Sequence, residues 1–392
     1  MDSRAFTSHR AGRPTHVAGG YVAFVPNRLP PALEFGAPLI ARLSEADRAI
    51  GRLAGVGTLI RNPFLLIQPF VAREAVLSSR IEGTQASLSD LFLFEAAPTD
   101  RPPVADVREV ANYTRALDLA IDPARQLPLS LRLLREMHRI LLEGTRGEGL
   151  TPGEFRRTQN WIGTPGCTLA NAAFVPPPVP QMHDALDDLE RYLHRSDDMP
   201  PLMRLAVIHY QFEAIHPFLD GNGRVGRLLI ALLLYEWGIL STPLLYLSAF
   251  FEHHRQRYYD TLLGVSLRGE WEAWVAFFLE GVATQAIDAA TRARRLADLR
   301  ESFVERATAE GGSAALVQLV DEVISRPIIT ISRAAKVTGL TYQGALFNVK
   351  RLVSTGILTK TPGTSRPQTY VAREVIALLD EDLTTTAPPH TG

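Results

Sequence analysis

Cysteine is almost missing from this sequence: Cys167 is the single thiol in 392 residues. That excludes an internal disulfide framework and a cysteine-rich zinc site, and it fits a reducing compartment. Long apolar runs are missing as well. The most apolar stretch, LLIALLLYEWGIL at 228–240, is too short to span a bilayer and carries Glu236. The N-terminal MDSRAFTSHRAGRPTHVAGG has no apolar core of the secretory kind. Nor does one sign of charge dominate. With 41 basic and 42 acidic side chains the net charge is -1, so the bulk electrostatics point neither to a nucleic-acid coat nor to a membrane surface. Any such binding has to be local. These absences predict a soluble, cytoplasmic protein with no membrane partner. Apolar side chains, by contrast, make up 46% of the residues, enough for a well-buried core and for two or three domains of about 100–200 residues each.

Apolar periodicity places helices along most of the chain, so the expected fold class is mainly α. Residues 1–40, rich in Pro, Gly and Arg, show no sustained period and predict a draping or partly disordered arm. A helix is expected in SEADRAIGRLAGVGTLI with Ser44 as its N-cap, and another in PFVAREAVLSSRIEGT, stopped by Gly83. Helical spacing returns in VADVREVANYTRALDLA and in SLRLLREMHRILLEG, which ends at Gly144. Between 151 and 180 the glycine and proline turns of TPGEFRRTQNWIGTPGCTLANAAFVPPPVP, with two short β-capable pieces, predict a hairpin or flap. Helices follow at 180–195, 201–215, 223–238, 255–267 and 271–308. RATAEGGSAA at 306–315 reads as a linker and the tail after 380 as frayed. The expected divisions are an N-terminal region at 1–100, a central domain at 101–308 and a last domain at 313–380.

Residues 216–227, HPFLDGNGRVGR, stand between two apolar helical patterns. Before them Leu202, Leu205, Ile208, Phe212 and Ile215 fall on one helical face, and after them Val225, Leu228, Leu229 and Leu232 do the same. The stretch is therefore a helix, a tight glycine turn and a second helix beginning near Gly223. Backbone N–H groups of Gly221, Asn222 and Gly223 at that helix start make an anion site, reinforced by the helix dipole. Arg224 and Arg227, three residues apart, leave the same face and can reach one polyphosphate together. Asp220 offers a hard oxygen that suits Mg2+, and His216 is a side chain fit to act as a general base near neutral pH.

The stretch agrees at every defined position with the signature of Fic-domain proteins, His-x-Phe-x-Asp/Glu-Gly-Asn-Gly-Arg-x-x-Arg. The resemblance extends over residues 104–290 and to NWIGTPGCTLANAAFVPPP, which is similar to the family's target-holding flap. It implies a Fic-type helical bundle with a small β-hairpin flap, and transfer of AMP from ATP to a Tyr, Thr or Ser hydroxyl of a protein. His216 would take the hydroxyl proton and Asp220 would hold Mg2+. Gly221, Asn222, Gly223, Arg224, Val225, Gly226 and Arg227 would line the phosphates, with Asn222 orienting them and Arg227 on the γ-phosphate. Tyr258 and Tyr259 resemble residues that line the family's nucleotide pocket, where an aromatic ring stacks on adenine.

SSRIEG at 78–83 resembles the family's inhibitory motif through Ser78, Glu82 and Gly83. That resemblance implies that Glu82 pairs with Arg227 and displaces the γ-phosphate, or that it positions a water for AMP removal. Release would follow from dimerisation, self-modification or a partner. Residues 314–375 read as helix, helix, turn, helix and two strands, the pattern of a winged helix-turn-helix domain. Eight basic residues against three acidic between 313 and 375 suit DNA phosphates, with Gln343 and Asn348 as candidate base readers. The alternatives to AMP transfer are a DNA-binding regulator whose Fic core senses ATP, and Fic-type transfer of another phosphate-containing group.

Overall fold

The N-terminal segment forms a β-hairpin where no regular structure was expected. Strands β1 (Gly12–Val17) and β2 (Tyr21–Pro26) pair antiparallel, from Gly12 opposite Pro26 to Val17 opposite Tyr21. Gly20 turns the chain at φ +77°. Phe24 stacks on Phe6 at 5.7 Å and meets Phe174 at 5.7 Å. This anchoring joins rings far apart in sequence, which local periodicity does not register. The structure is a computed structural model that describes residues 2–59, 62–97, 105–122, 124–125, 127–164, 166–195, 198–309, 311–362 and 367–381.

Helix α1 (Ala37–Leu59) begins well ahead of Ser44, which lies inside it and caps nothing. Pro38 near its start explains the earlier beginning, because the missing N–H of a first-turn proline costs a helix nothing. Helix α2 (Ile67–Ile81) ends just before Gly83, whose φ of +97° turns the chain away. Helix α3 (Leu88–Ala96) starts at a reciprocal Ser87–Asp90 capping box. Helices α4 (Ala105–Ile121) and α5 (Leu131–Leu142) follow. Among the described residues the expected flap at 151–180 reduces to one antiparallel bridge, Ile162 with Phe174. It leans on the hairpin through Phe24 N–H to the Val175 carbonyl at 2.9 Å.

Helices α6 (Val179–His194), α7 (Pro201–Ile215) and α8 (Asn222–Glu236) build the centre. Leu202, Leu205, Ile208, Phe212 and Ile215 are buried as expected, and so are His209, Tyr210 and Gln211 on the other sides of α7. A helix buried nearly all round is a core element. Helices α9 (Ser248–His253), α10 (Arg255–Arg268) and the long α11 (Trp271–Thr308) complete the bundle, with α1 lying along α11. Because α11 continues to Thr308, the expected linker narrows to the residues around Gly311.

The C-terminal part contains α12 (Ala314–Ser325), β3 (Ile328–Thr330), α13 (Ile331–Thr338), α14 (Tyr342–Ser354), β4 (Thr359–Lys360), β5 (Thr369–Val371) and α15 (Arg373–Asp380). The strands form an antiparallel sheet in the order β3-β5-β4, and Gly339 at φ +67° turns α13 into α14. Strand β3 and helix α15 were not expected. The loop tip at 363–366 and the tail at 382–392 lie outside the described residues. Asn348 is no base reader here: it is buried, and its amide donates to the Gly344 carbonyl at 2.9 Å. Arg333 pairs with Glu322 at 2.8 Å and Arg351 donates to the Gly311 carbonyl at 2.7 Å, so part of the basic surplus is used internally. The exposed face of α14 carries Tyr342 and Phe347, the latter 64% exposed.

Helices α12 and α15 pack against α2. Arg292 on α11, fully buried, pairs with Asp288 at 2.9 Å and donates to the carbonyls of Leu378, Leu379 and Glu381 at the end of α15. Arg73 on α2 donates to the same Leu379 carbonyl at 3.1 Å. Cations are well placed at a helix C-terminus, where carbonyls lack intrahelical partners. Among the described residues no helix is long and apolar enough to cross a membrane.

Candidate active site

The HPFLDGNGRVGR stretch joins the end of α7 to the start of α8. His216 is the C-cap of α7 and sits at φ +49°, left-handed backbone that costs a non-glycine residue about 1–3 kcal/mol. Its carbonyl accepts from Arg156 Nε at 3.1 Å and from Asn160 Nδ2 at 3.2 Å, and these bonds hold the turn. The imidazole Nδ1 lies 3.3 Å from the Glu213 carbonyl. A carbonyl only accepts, so Nδ1 carries the proton and Nε2 keeps its lone pair. Burial pushes this imidazole down to about 4, against the pull of the Glu213 carbonyl and with Arg156 adding to the effect. His216 is thus a neutral base at pH 7.

Helix α8 starts at Gly221, φ +76°, without a side-chain cap. Its first-turn N–H groups are therefore available to an anion. The Asn222 side chain does not face the phosphate cradle as expected. It closes the loop on itself, accepting from Phe218 N–H at 2.8 Å and donating to the Phe218 carbonyl at 2.8 Å. His138 braces the other side: Gly153 N–H donates to its Nδ1 at 2.8 Å, which leaves Nε2–H to donate to the Asp220 carbonyl at 3.0 Å. Its ring stacks on Phe218 at 3.8 Å. Val225 is buried core, and its N–H already closes the first α8 turn on the Gly221 carbonyl.

Both motif arginines are buried, and each meets a carboxylate from the N-terminal half. Arg227 donates from Nε to Ser78 Oγ at 2.7 Å, and from Nη2 to the Ser78 carbonyl at 3.0 Å and to Glu82 Oε1 at 2.7 Å. Burial raises the Glu82 carboxyl, but Arg227 beside it outweighs that, and the group lies below its ordinary value. Arg224 pairs with Glu109 of α4 at 3.1 Å and lies 3.7 Å from Asp220. Glu109 escaped the sequence reading, as did Arg156, Asn160 and His138. The available signal was weak: Glu109 sits among apolar residues of α4, and Arg156 and Asn160 sit in a turn-rich segment.

Asp220 Oδ1 accepts from Gly221 N–H at 2.7 Å, and the side chain stays partly exposed. Among the described residues no cluster of three or more acidic, His or Cys side chains exists to cage a metal. One open carboxylate suits an ion such as Mg2+, which completes its shell with phosphate and water. The two tyrosines part company. Tyr258 is a core residue, its hydroxyl on His209 Nε2 at 2.9 Å and its ring on Phe251 at 4.5 Å, so no face is open to a base. Tyr259 is 40% exposed, and its hydroxyl feels both Glu82 and Arg227.

The Fic/DOC family N-terminal model matches residues 40–122 and the Fic/DOC family model matches residues 128–234. A protein adenylyltransferase Fic of Culex quinquefasciatus is 32% identical over 154 residues, 39% of this chain and 27% of that protein. The one of Drosophila grimshawi is 32% identical over 134 residues, 32% of this chain and 26% of that protein. The match thus spans about a quarter of the length of these curated relatives. A solved Fic family protein from Desulfovibrio desulfuricans G20 shares the fold at a TM-score of 0.58 and 20% identity, covering 88% of this chain and 98% of that one. A Fic domain containing signaling protein from Bacteroides thetaiotaomicron VPI-5482 does so at 0.51 and 20%, covering 64% and 97%. The motif at the α7–α8 turn thus lies within the stretch that matches the Fic/DOC family model, with the Fic/DOC family N-terminal model matched ahead of it.

Proposed function

We propose that this chain is an autoinhibited protein adenylyltransferase that moves AMP from ATP to a Tyr, Thr or Ser hydroxyl of a protein. The observation that carries this is His216, a neutral imidazole whose Nε2 has no hydrogen-bond partner among the described residues and lies beside an uncapped helix start. The acceptor hydroxyl gives its proton to Nε2 while its oxygen attacks the α-phosphorus in line. The bond to the β-phosphate bridging oxygen breaks and pyrophosphate leaves. First-turn amides of α8 and Arg224 hold the α- and β-phosphates, and Arg227 holds the γ-phosphate. Asn222 acts through the loop, keeping Phe218 and hence the cradle in shape. Asp220 would hold Mg2+, which neutralises phosphate charge when bound. Tyr259 is the better placed of the two tyrosines to meet the nucleotide.

Glu82 is the brake. While it occupies Arg227 at 2.7 Å, the γ-phosphate lacks its cation and ATP cannot settle in the productive pose. We assign the C-terminal part to the winged helix-turn-helix type on its order of helix, strand, two helices and two strands. The deciding experiment follows transfer of α-labelled ATP to protein in wild type, Glu82→Gly and His216→Ala, with α-labelled UTP alongside. Strong labelling by Glu82→Gly from ATP and silence from His216→Ala are expected. Labelling from UTP in place of ATP would point to transfer of another group, and no labelling from either would sink the enzyme assignment.

A further inference from the structure

Glu213, in the last turn of α7, is an acid in the cradle that the transfer chemistry does not use. Its Oε1 is buried and has no hydrogen-bond partner among the described residues. A glycine makes the room for it. A Cβ on Gly226 would stand 2.3 Å from this oxygen, closer than unbonded heavy atoms approach. Gly223 serves Glu82 in the same way, since a Cβ there would stand 2.4 Å from Glu82 Oε1 and 2.9 Å from Arg227 Nη1. Residues three apart share a helix face. Helix α8 therefore offers two glycine seats in line, each filled by a carboxylate. Glu82 uses its seat to bind Arg227, whereas Glu213 occupies the second seat with one oxygen unpaired.

An unpaired buried carboxylate is unfavourable, and the group responds to its neighbours accordingly. Burial pushes Glu213 up to about 7, Arg227 draws it down and Glu82 pushes it up. Glu213 thus feels the same cation as Glu82. Among the described residues the hydrogen bonds of the Arg227 guanidinium go to α2 and its C-cap: Ser78 Oγ, the Ser78 carbonyl and Glu82. If α2 withdraws, they are lost together, and a buried guanidinium without acceptors is strongly unfavourable. Glu213 stands on α7 and stays behind.

We infer that Glu213 is a positioning residue for Arg227, becoming its counter-charge when Glu82 withdraws and holding the guanidinium where a nucleoside triphosphate's terminal phosphate needs it. Anchored along one edge, the planar fork keeps its other edge for phosphate. The inference rests on the ATP site proposed above.

The test uses the full chain carrying Glu82→Gly and His216→Ala, so that neither brake nor turnover interferes. Binding of ATP and of ADP is measured by calorimetry before and after adding Glu213→Gln. ATP binding falls about ten-fold, the scale of one charge-assisted hydrogen bond, while ADP, which lacks the γ-phosphate, changes far less. With His216 intact, Glu213→Gln in Glu82→Gly raises KM for ATP by a similar factor and leaves kcat in place. Gly226→Ala, which pushes on the same oxygen, reproduces the ATP-selective loss, and melting curves verify the fold of both variants. Equal losses for ATP and ADP, or no loss for either, overturn the inference and leave Glu213 as packing. An ATP-selective loss in a Glu82→Gly protein that labels nothing would uphold Glu213 and count against adenylyl transfer alone.

Discussion

Arg224 and Arg227 lie one turn apart on α8, both are buried and both are paired with a glutamate from the N-terminal half, yet the two pairs are built differently. Glu109, on α4, is 1% exposed and is shared with Arg146 at 3.0 Å, while Thr84 stands 3.5 Å away. Glu82 is 34% exposed and follows the last turn of α2, just before the chain turns at Gly83. One carboxylate is locked into the core and orients its arginine. The other sits at a helix end and is partly open to solvent. On the proposed function, the same contact chemistry would serve as scaffold in one region and as a removable obstruction in the other, with burial and connectivity deciding which.

The sharpest break of the comparison comes from the base. His216→Ala abolishes transfer whatever the state of either pair, by roughly 10²–10⁴-fold in a labelling assay, the usual worth of a general base. Glu82→Gly comes next. Losing a charge-assisted pair of about 1.5–3 kcal/mol frees Arg227 and raises labelling roughly 10- to 100-fold. Glu109→Gln is expected to act in the opposite direction. It leaves Arg224 buried without its counter-charge, destabilises the fold by about 3–5 kcal/mol in denaturant unfolding and lowers the labelling rate of Glu82→Gly. A gain in labelling from Glu109→Gln would erase the distinction, since both glutamates would then be brakes.

The sequence told these regions apart only in part. HPFLDGNGRVGR is a continuous string in which loop, helix start and polar side chains lie within twelve residues, so periodicity and chemistry could be read together. Glu82 became legible because its pairing with Arg227 is part of a resemblance. Glu109, Arg156 and Asn160 reach the site from other segments and bind backbone carbonyls or buried arginine nitrogens. Nothing local marks such residues, because their partners are set by tertiary packing. The hairpin at Gly12–Pro26 was missed for the same reason, being fixed by Phe6 and Phe174. Tyr258 went wrong because a tyrosine at a helix position looks alike whether its hydroxyl meets a ligand or, as here, His209.

The pH profile sharpens the contrast without altering either pair. His216 is held down to about 4, and Glu82 is among the charges that favour its imidazolium form. Removing Glu82 therefore lowers the value further. The kcat of Glu82→Gly should stay level as pH falls through about 6.5, the ordinary histidine range, and drop only well below it. An inflection near 6.5 would mean that the base is not this buried imidazole.

The smallest expected effect concerns the middle of α2. Ser78 and Glu82 tie one end of the helix to Arg227, while Arg73, near its middle, ties it to the Leu379 carbonyl at 3.1 Å and to Asp288 at 3.6 Å. If Glu82 obstructs because α2 is seated, loosening α2 anywhere along its length should weaken the obstruction. Arg73→Ala removes a bond worth about 0.5–1.5 kcal/mol, so basal labelling should rise roughly two- to ten-fold. The Glu109 pair does not depend on α2 and should not respond. Added to Glu82→Gly, Arg73→Ala should therefore produce no further rise, because the obstruction it weakens is already gone. A further rise in the double variant would mean that Arg73 acts on the catalytic turn itself and that α2 is more than the carrier of its glutamate.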